Sequence, residues 1–300
     1  MQIVILGAGA IGSIYGAKLS AQHDVTLVGG ATHVEAIQRD GLVMQGLMAA
    51  TLHLPAVRRL DRIEPGTLIL LTAKVNNNVA AVEPIVPLLP AGGVAGGVTI
   101  LCVQNGLYSE DLVKNLVNDR ALVLRAITQV GGILVRPGVV DHTVSGYTLI
   151  EQHEQSPAIA AVLSAAGLDG RVIPDIKKEM WRKAIFNCVI NPTTSLLGCD
   201  VGGIVDPQLN ALKRQIIDEC LAVARADGVG FEEDFVALID RVFAGARTIA
   251  SMRQDLIKGR KTEIDHMNGA VARLGETFGL PCPVNVAMTT MIKYLEGRMR

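Results

Sequence analysis

Six residues near the start of the chain limit its fold more than any other feature. Gly7-Ala8-Gly9-Ala10-Ile11-Gly12 follows a short apolar run over residues 2–6 and leads into Ile14, Tyr15, Ala17 and Leu19 at helical spacing. A strand, a glycine turn and a helix in that order bring backbone N–H groups to the start of the helix, where a pyrophosphate binds. The first glycine permits the tight turn, the second lets the pyrophosphate approach the backbone, and the third lets helix and strand pack closely. Gly7, Ala8, Gly9, Ala10, Ile11 and Gly12 are therefore read as dinucleotide-binding. The plainer alternative is a glycine-rich turn with no ligand.

Further buried strands are expected over residues 25–28, 67–72 and 98–103, separated by helical or loop segments. Such alternation predicts an α/β fold with a Rossmann-like, doubly wound parallel sheet. Residues 41–44 and 52–54 read as a small hairpin, and 121–129, 132–135, 139–143 and 146–150 as strands joined by tight turns, one at Pro137-Gly138. From Pro174 the pattern becomes helical over 175–191, 207–227, 232–246, 263–278 and 284–298, with no strand between. The expected organisation is a dinucleotide-binding domain over 1–173 and an all-helical domain over 174–300.

Composition narrows the partners. The 300 residues are 49% hydrophobic and 19% charged with a net charge of −1, which offers no footprint for nucleic acid or an anionic membrane. A small molecule or a second copy of the chain, as a homodimer, is the expected partner. Cys102, Cys188, Cys199, Cys220 and Cys282 form no Cys-x-x-Cys pair and read as core thiols in a reducing compartment, with neither metal nor disulfide. Residues 86–104 are uncharged and long enough to span a bilayer, but Pro87, Pro90, Gly92, Gly93, Gly96 and Gly97 argue for a loop and a strand. Residues 1–20 lack the basic start of a signal peptide. A cytoplasmic location is expected.

The helical half opens with a polar row. Lys183, Asn187 and Asn191 lie four residues apart, hence on one helix face, among Trp181, Ala184, Ile185, Phe186, Cys188, Val189 and Ile190. A single polar residue there would cap backbone or reach out to water, but three in register call for a shared partner. Pro192 is expected to end the helix at Asn191. Two loops follow strand ends on the ligand side of the sheet, Thr72-Ala73-Lys74 and Gln104-Asn105-Gly106. Lys74 suits a phosphate or carboxylate and Asn105 a carboxamide contact, against plain surface charge and turn formation. Asn76, Asn77 and Asn78 read as a helix N-cap cluster. Glu263 is expected in the first turn of a helix that Thr262 or a neighbour caps, with Asp265 as the alternative acid. After the second strand, Gly29-Gly30-Ala31-Thr32-His33 holds neither the acid that selects NAD nor the arginine that selects NADP, leaving the backbone, Thr32, His33 or Arg58. His33 reads as a surface helix residue.

Together these residues resemble the ketopantoate reductase (2-dehydropantoate 2-reductase) family over essentially the whole chain. The resemblance rests on Gly7-x-Gly9-x-x-Gly12, the Lys74 loop, Gln104-Asn105-Gly106-Leu107, Gly138-Val139-Val140-x-His142, Glu179-x-Trp181-Arg182-Lys183-x-x-x-Asn187-x-x-x-Asn191-Pro192, Ser251-Met252 and Lys261-Thr262-Glu263-Ile264-Asp265-x-x-Asn268-Gly269. It implies a Rossmann domain joined to a helical domain like that of 6-phosphogluconate dehydrogenase. It also implies reduction of 2-dehydropantoate to pantoate with NADPH, a step of pantothenate biosynthesis. On the same ground Lys183 is the expected catalytic acid, and Asn105, Asn187, Asn191, Ser251 and Glu263 are expected to bind substrate. Lys74 and Asn105 are expected cofactor contacts. The family's usual 2'-phosphate arginine aligns with Gly30 here. NADP remains the first expectation because no acid replaces that arginine, and NAD stands as the alternative.

The chemistry suits these residue types. Hydride addition to a 2-oxo acid makes an alkoxide, so the site needs a proton donor at the carbonyl and polar groups on the carboxylate and hydroxyl. Lys183 is the expected donor, and Glu263 is expected to hold the substrate hydroxyl and keep Lys183 charged. The rivals are a reductase of another 2-oxo or 3-oxo acid on this scaffold and a dinucleotide-sensing protein without turnover. The latter has no use for Lys183, Asn187, Asn191 and Glu263 together.

Overall fold

In the first strand, β1 (Gln2–Leu6), alternate side chains face opposite ways and both ways are apolar, so helices or loops must cover both faces. Ile3 and Ile5 join one core cluster with Leu27, Leu70 and Leu124, while Val4 and Leu6 join another with Ile69, Leu71 and Ile100. The computed structural model of the protein describes residues 1–298. They fall into two compact units, one made of residues 1–104 and 108–176, the other of 105–107 and the chain from Lys177 on.

In the first unit β1 is followed by α1 (Ala10–Leu19), β2 (Asp24–Val28), α2 (Ala31–Asp40), β3 (Leu42–Gly46), β4 (Ala50–Leu52) and β5 (Ala56–Val57). Then come β6 (Leu68–Leu71), α3 (Asn78–Val82), β7 (Thr99–Cys102), α4 (Ser109–Val117) and β8 (Leu122–Thr128). The unit closes with β9 (Gly131–Arg136), β10 (Val139–Val144), β11 (Thr148–Glu151), α5 (Ser156–Ala165) and β12 (Gly170–Ile173). Eight strands form one sheet in the order β12-β11-β8-β7-β6-β1-β2-β5, parallel throughout except where β11 meets β8. A smaller sheet, β4-β3-β10-β9, accounts for the expected hairpin, in which Leu42 pairs with Leu52. The doubly wound sheet is as expected. Strands β5 and β12, of two and four residues, were not.

Two expectations need correction in this unit. His33 is buried, not a surface residue, at 5% exposure. Its Nδ1 accepts from the Gly138 N–H at 2.9 Å and its Nε2 lies 3.2 Å from Ser13 Oγ, so it ties α2 to α1 and to the β9–β10 turn. The asparagine run does not form a cap cluster either. Asn77 precedes α3 without a side-chain cap bond, and Asn78 is buried, its Nδ2 donating to Ser109 O and its Oδ1 accepting from Gln104 Nε2. Tyr15 fastens α1 across the sheet, its hydroxyl lying 2.9 Å from Thr128 Oγ1 and 2.5 Å from Thr148 Oγ1. Burial pushes that phenol up to about 12.

The second unit contains α6 (Ile176–Leu197), α7 (Asn210–Ala226), α8 (Phe235–Phe243), α9 (Ser251–Ile257), α10 (Asn268–Thr277) and α11 (Pro283–Arg298). Pro192 does not end α6, contrary to expectation; the helix runs on to Leu197 with the proline inside it. An interior proline removes the N–H that would bond to the carbonyl four residues back, a loss of about 3 kcal/mol in an isolated helix. That carbonyl belongs to Cys188, and it accepts instead from Asn268 Nδ2 at 3.0 Å. The expected helix over 263–278 is also divided: Ile264–His266 is a single 3-10 turn, and α10 starts only at Asn268. Trp181 gives its indole N–H to Asp227 Oδ2 at 2.7 Å, joining α6 to the end of α7. No helix of the described residues is long and apolar enough to cross a membrane.

Candidate active site

The glycine turn of the first unit is held from two sides. Gly7 N and Ala8 N donate to Val28 O at 3.0 and 2.8 Å, and Thr72 Oγ1 donates to Gly7 O at 2.8 Å. Gly7 has φ +113, and a Cβ there would collide with the backbone of Ala73. A Cβ on Gly12 would strike Gly7 O and Ile5. Gly9 differs: a Cβ would meet only Gly7 O, at 4.0 Å. The first turn of α1 carries no side-chain cap and no acid, so its N–H groups are free of a competing carboxylate. A tight turn, a close helix and an open backbone at the middle glycine fit a pyrophosphate.

The carboxyl ends of β6 and β7 carry the two loops singled out above. Lys74 is half-buried and opens the 3-10 turn Val75–Asn77. Gln104 is buried and its Nε2 donates to Ala73 O and to Asn78 Oδ1, both at 2.5 Å. Beneath it lies Arg125, 3% exposed, which gives Nη2 to Gln104 O at 2.9 Å and Nη1 to Glu110 Oε2 at 3.2 Å and to Ser109 Oγ. This buried network fixes the residue before Asn105. A lone arginine within the apolar strand 122–128 was its only signal in the sequence, since a charge there requires buried partners.

Five of the six residues expected at the substrate are connected in the second unit, by contact or by helix register. Lys183 and Asn187 are half-buried and Asn191 is buried, stacked along one face of α6. Asn191 Nδ2 donates to Met267 Sδ at 3.5 Å. Four residues earlier, buried Glu263 places Oε2 3.5 Å from Asn105 Nδ2, and Leu107 N donates to His266 O at 3.2 Å. Asp265, the alternative acid, pairs with Lys293 at 3.0 Å. Thr262 Oγ1 accepts from Ile264 N at 3.2 Å, but the N-cap position of the short turn is Glu263 itself and that of α10 is Met267, neither with a side-chain cap bond. Ser251, the first residue of α9, is exposed and forms no hydrogen bond with the other five among the described residues.

His266, Met267 and Asn268 were missed as residues that shape this region. His266 lies half-buried beside Asn105–Leu107, and burial holds its imidazole below the ordinary histidine value against the pull of Glu263. Among the described residues no three of His, Cys, Asp or Glu come together to hold a metal ion. Cys102, Cys188, Cys220 and Cys282 are buried thiols. Hydrogen bonding to Cys188 and burial push the Cys220 thiol well up.

Comparison with known proteins bears on both units. The family model described as Ketopantoate reductase PanE/ApbA matches residues 3–155, and its C-terminal counterpart matches 175–296. A 2-dehydropantoate 2-reductase of Pyrococcus horikoshii is 30% identical over 305 residues, spanning 99% of this chain and 98% of its own. Among solved structures, a PanE/ApbA family ketopantoate reductase from Ralstonia eutropha JMP134 has a TM-score of 0.88 at 30% identity, covering 100% of this chain and 99% of that one. D-mandelate dehydrogenase, solved with NADH and anilino(oxo)acetate, has a TM-score of 0.90 at 26% identity with the same coverage. Matched over both its α/β and its helical parts, the chain belongs to the ketopantoate reductase family, whose members are NAD(P)H-dependent oxidoreductases.

Proposed function

We propose that this protein reduces 2-dehydropantoate to pantoate with NADPH, in the cytoplasm as a step of pantothenate formation, with a homodimer as its assembly. Residues 1–173 serve as the dinucleotide domain and 174–300 as the catalytic domain. The observation that carries this reading is the approach of Asn105 Nδ2 to Glu263 Oε2, which puts a carboxamide and a buried carboxylate side by side. They belong to the unit that also carries the row of Lys183, Asn187 and Asn191.

The dinucleotide supplies the hydride when bound, and Gly7, Ala8, Gly9, Ala10, Ile11 and Gly12 hold its pyrophosphate, with Lys74 and Asn105 as further contacts. The chain's own groups manage charge and protons. Lys183 donates a proton to the oxygen that was the carbonyl, so no alkoxide is released. Asn187, Asn191, Asn105 and Ser251 bind the carboxylate and carbonyl through N–H and O–H donors. Glu263 accepts from the substrate hydroxyl.

Strand register supports NADPH despite the glycine at position 30. β5 runs parallel to β2 with Val57 opposite Val28, and Gly29 N donates to Val57 O at 3.1 Å. Arg58 therefore follows alongside Gly29 and Gly30, where a 2'-phosphate is read in this class of fold. It is exposed and joins no ion pair among the described residues. A second reading, an NADH-linked reductase of another 2-oxo acid, is favoured by the same glycine and by the likeness to D-mandelate dehydrogenase, solved with NADH.

Steady-state oxidation of NADPH and NADH with 2-dehydropantoate, pyruvate-like and aryl 2-oxo acids tests both readings. The first expects the highest kcat/KM for 2-dehydropantoate with NADPH; activity confined to other oxo acids with NADH selects the second. Lys183→Ala is expected to lose about 10²–10⁴-fold in kcat while KM for the dinucleotide holds. Unchanged turnover in that variant would remove Lys183 from its role.

A further inference from the structure

Pro192 turns an intrahelical hydrogen bond of α6 into an interhelical one. Without a proline there, the Cys188 carbonyl would accept from the backbone N–H of residue 192. The pyrrolidine ring has no N–H and crowds that carbonyl. The bond is made instead by Asn268, the first residue of α10, through Nδ2 at 3.0 Å.

The donor is held in this orientation by a chain of hydrogen-bonded side chains that starts at half-buried Glu219. Glu219 on α7 accepts from Val284 N and Asn285 N at 2.8 and 2.9 Å, satisfying N–H groups in the first turn of α11 that have no intrahelical partner. Its Oε2 also accepts from Asn285 Nδ2 at 2.7 Å, which leaves Asn285 Oδ1 facing Asn268. Asn268 Nδ2 donates to that oxygen at 2.9 Å, so both of its N–H bonds are committed, one to α11 and one to α6. Asn268 and Asn285 are fully buried.

The grip falls between the two asparagines of the polar row. Cys188 follows Asn187, and Pro192 follows Asn191, whose own Nδ2 rests on Met267 Sδ at 3.5 Å. Met267 and Asn268 thus hold α6 at consecutive turns, and the same segment begins with Glu263. We infer that Asn268 is a positioning residue for carbonyl reduction: by taking the Cys188 carbonyl that Pro192 releases, it sets Asn187 and Asn191 against the Glu263 segment. This rests on the reading that the α6 row binds the oxo acid. Asn268 is not itself a catalytic residue.

The test is a double-mutant cycle of Asn268→Ala and Pro192→Ala, measured by steady-state kinetics and by thermal unfolding. Asn268→Ala is expected to lower kcat/KM for the oxo acid by about 10²-fold, through KM and kcat together, while KM for the dinucleotide stays put. Pro192→Ala alone should leave activity near that of the parent. Added to Asn268→Ala, it restores a backbone N–H to Cys188 O and should recover most of both the kinetic loss and the melting temperature. If the double variant is as impaired as Asn268→Ala, or if Asn268→Ala is unimpaired, the inference fails. Should Asn268→Ala not fold, a folded and active double variant supports the inference and an unfolded one overturns it. Parent protein that reduces no 2-oxo acid defeats the proposed function instead; the melting-temperature coupling then still decides whether Asn268 stands in for the missing N–H, and its absence ends the inference as well.

Discussion

Glu263 and Asp265 stand two residues apart, yet one is buried beside Asn105 and the other reaches an exposed lysine. Spacing alone left both open because the backbone between them forms one 3-10 turn instead of a regular helix. His33 was misread for a related reason: a histidine on a short amphipathic helix looks like surface until the turn at Gly138 arrives over it. Its burial holds the imidazole below the ordinary histidine value, and the Gly138 N–H occupies the nitrogen that would take the second proton. The folded chain thus resists a proton that the unfolded chain accepts, so its contribution is complete above about pH 6.5 and is lost as pH falls through the folded value. His142 shifts the same way, by burial first and by repulsion from Lys18 second. The melting temperature should fall between neutral and mildly acidic pH, and less so in His33→Asn, which keeps an acceptor for Gly138 but does not titrate. Equal slopes in the two proteins would place the acid sensitivity elsewhere. At Arg58 the expectation is selective: Arg58→Ala should raise KM for NADPH by about tenfold, the loss of one exposed charge-assisted bond, and leave KM for NADH alone. A parallel loss with both cofactors would take Arg58 away from the 2'-phosphate.

Elements were legible where local pattern and tertiary role agree. The glycine turn followed β1 and opened α1 as its spacing required, and the long parallel strands were plain from their apolar runs. β5 was not, because two residues carry no periodicity and its existence depends on pairing with β2. Helix α6 shows the limit most clearly. Proline is a stop signal only where nothing else takes the freed carbonyl, and the residue that does so lies 80 positions from the acceptor. The three glycines of the turn also separate by role, which kinetics and stability can distinguish. Gly9→Ala should keep the parent melting temperature, since its Cβ finds space, but raise KM for either dinucleotide by about tenfold through the lost approach to the pyrophosphate. Gly12→Ala should instead cost about 1–3 kcal/mol of stability, because its Cβ strikes Gly7 O and Ile5. A Gly9→Ala protein that melts early with normal KM would reverse these assignments.

At the scale of the molecule, a low charge content and a chain split between an α/β half and a helical half were readable from composition and periodicity together. The assignment of Asn105–Leu107 to the helical unit was not, since only their contacts with Glu263 and His266 place them there. The division has a spectroscopic corollary. All five phenylalanines and the one tryptophan lie in the second unit, and the aromatic residues of the first are Tyr15, Tyr108 and Tyr147. Trp181 is fully buried, is bonded to Asp227 and stands two residues before Lys183. Its emission is thus a native optical label on the helix that carries Lys183, blind to the unwinding of the first unit except through what that event does to α6.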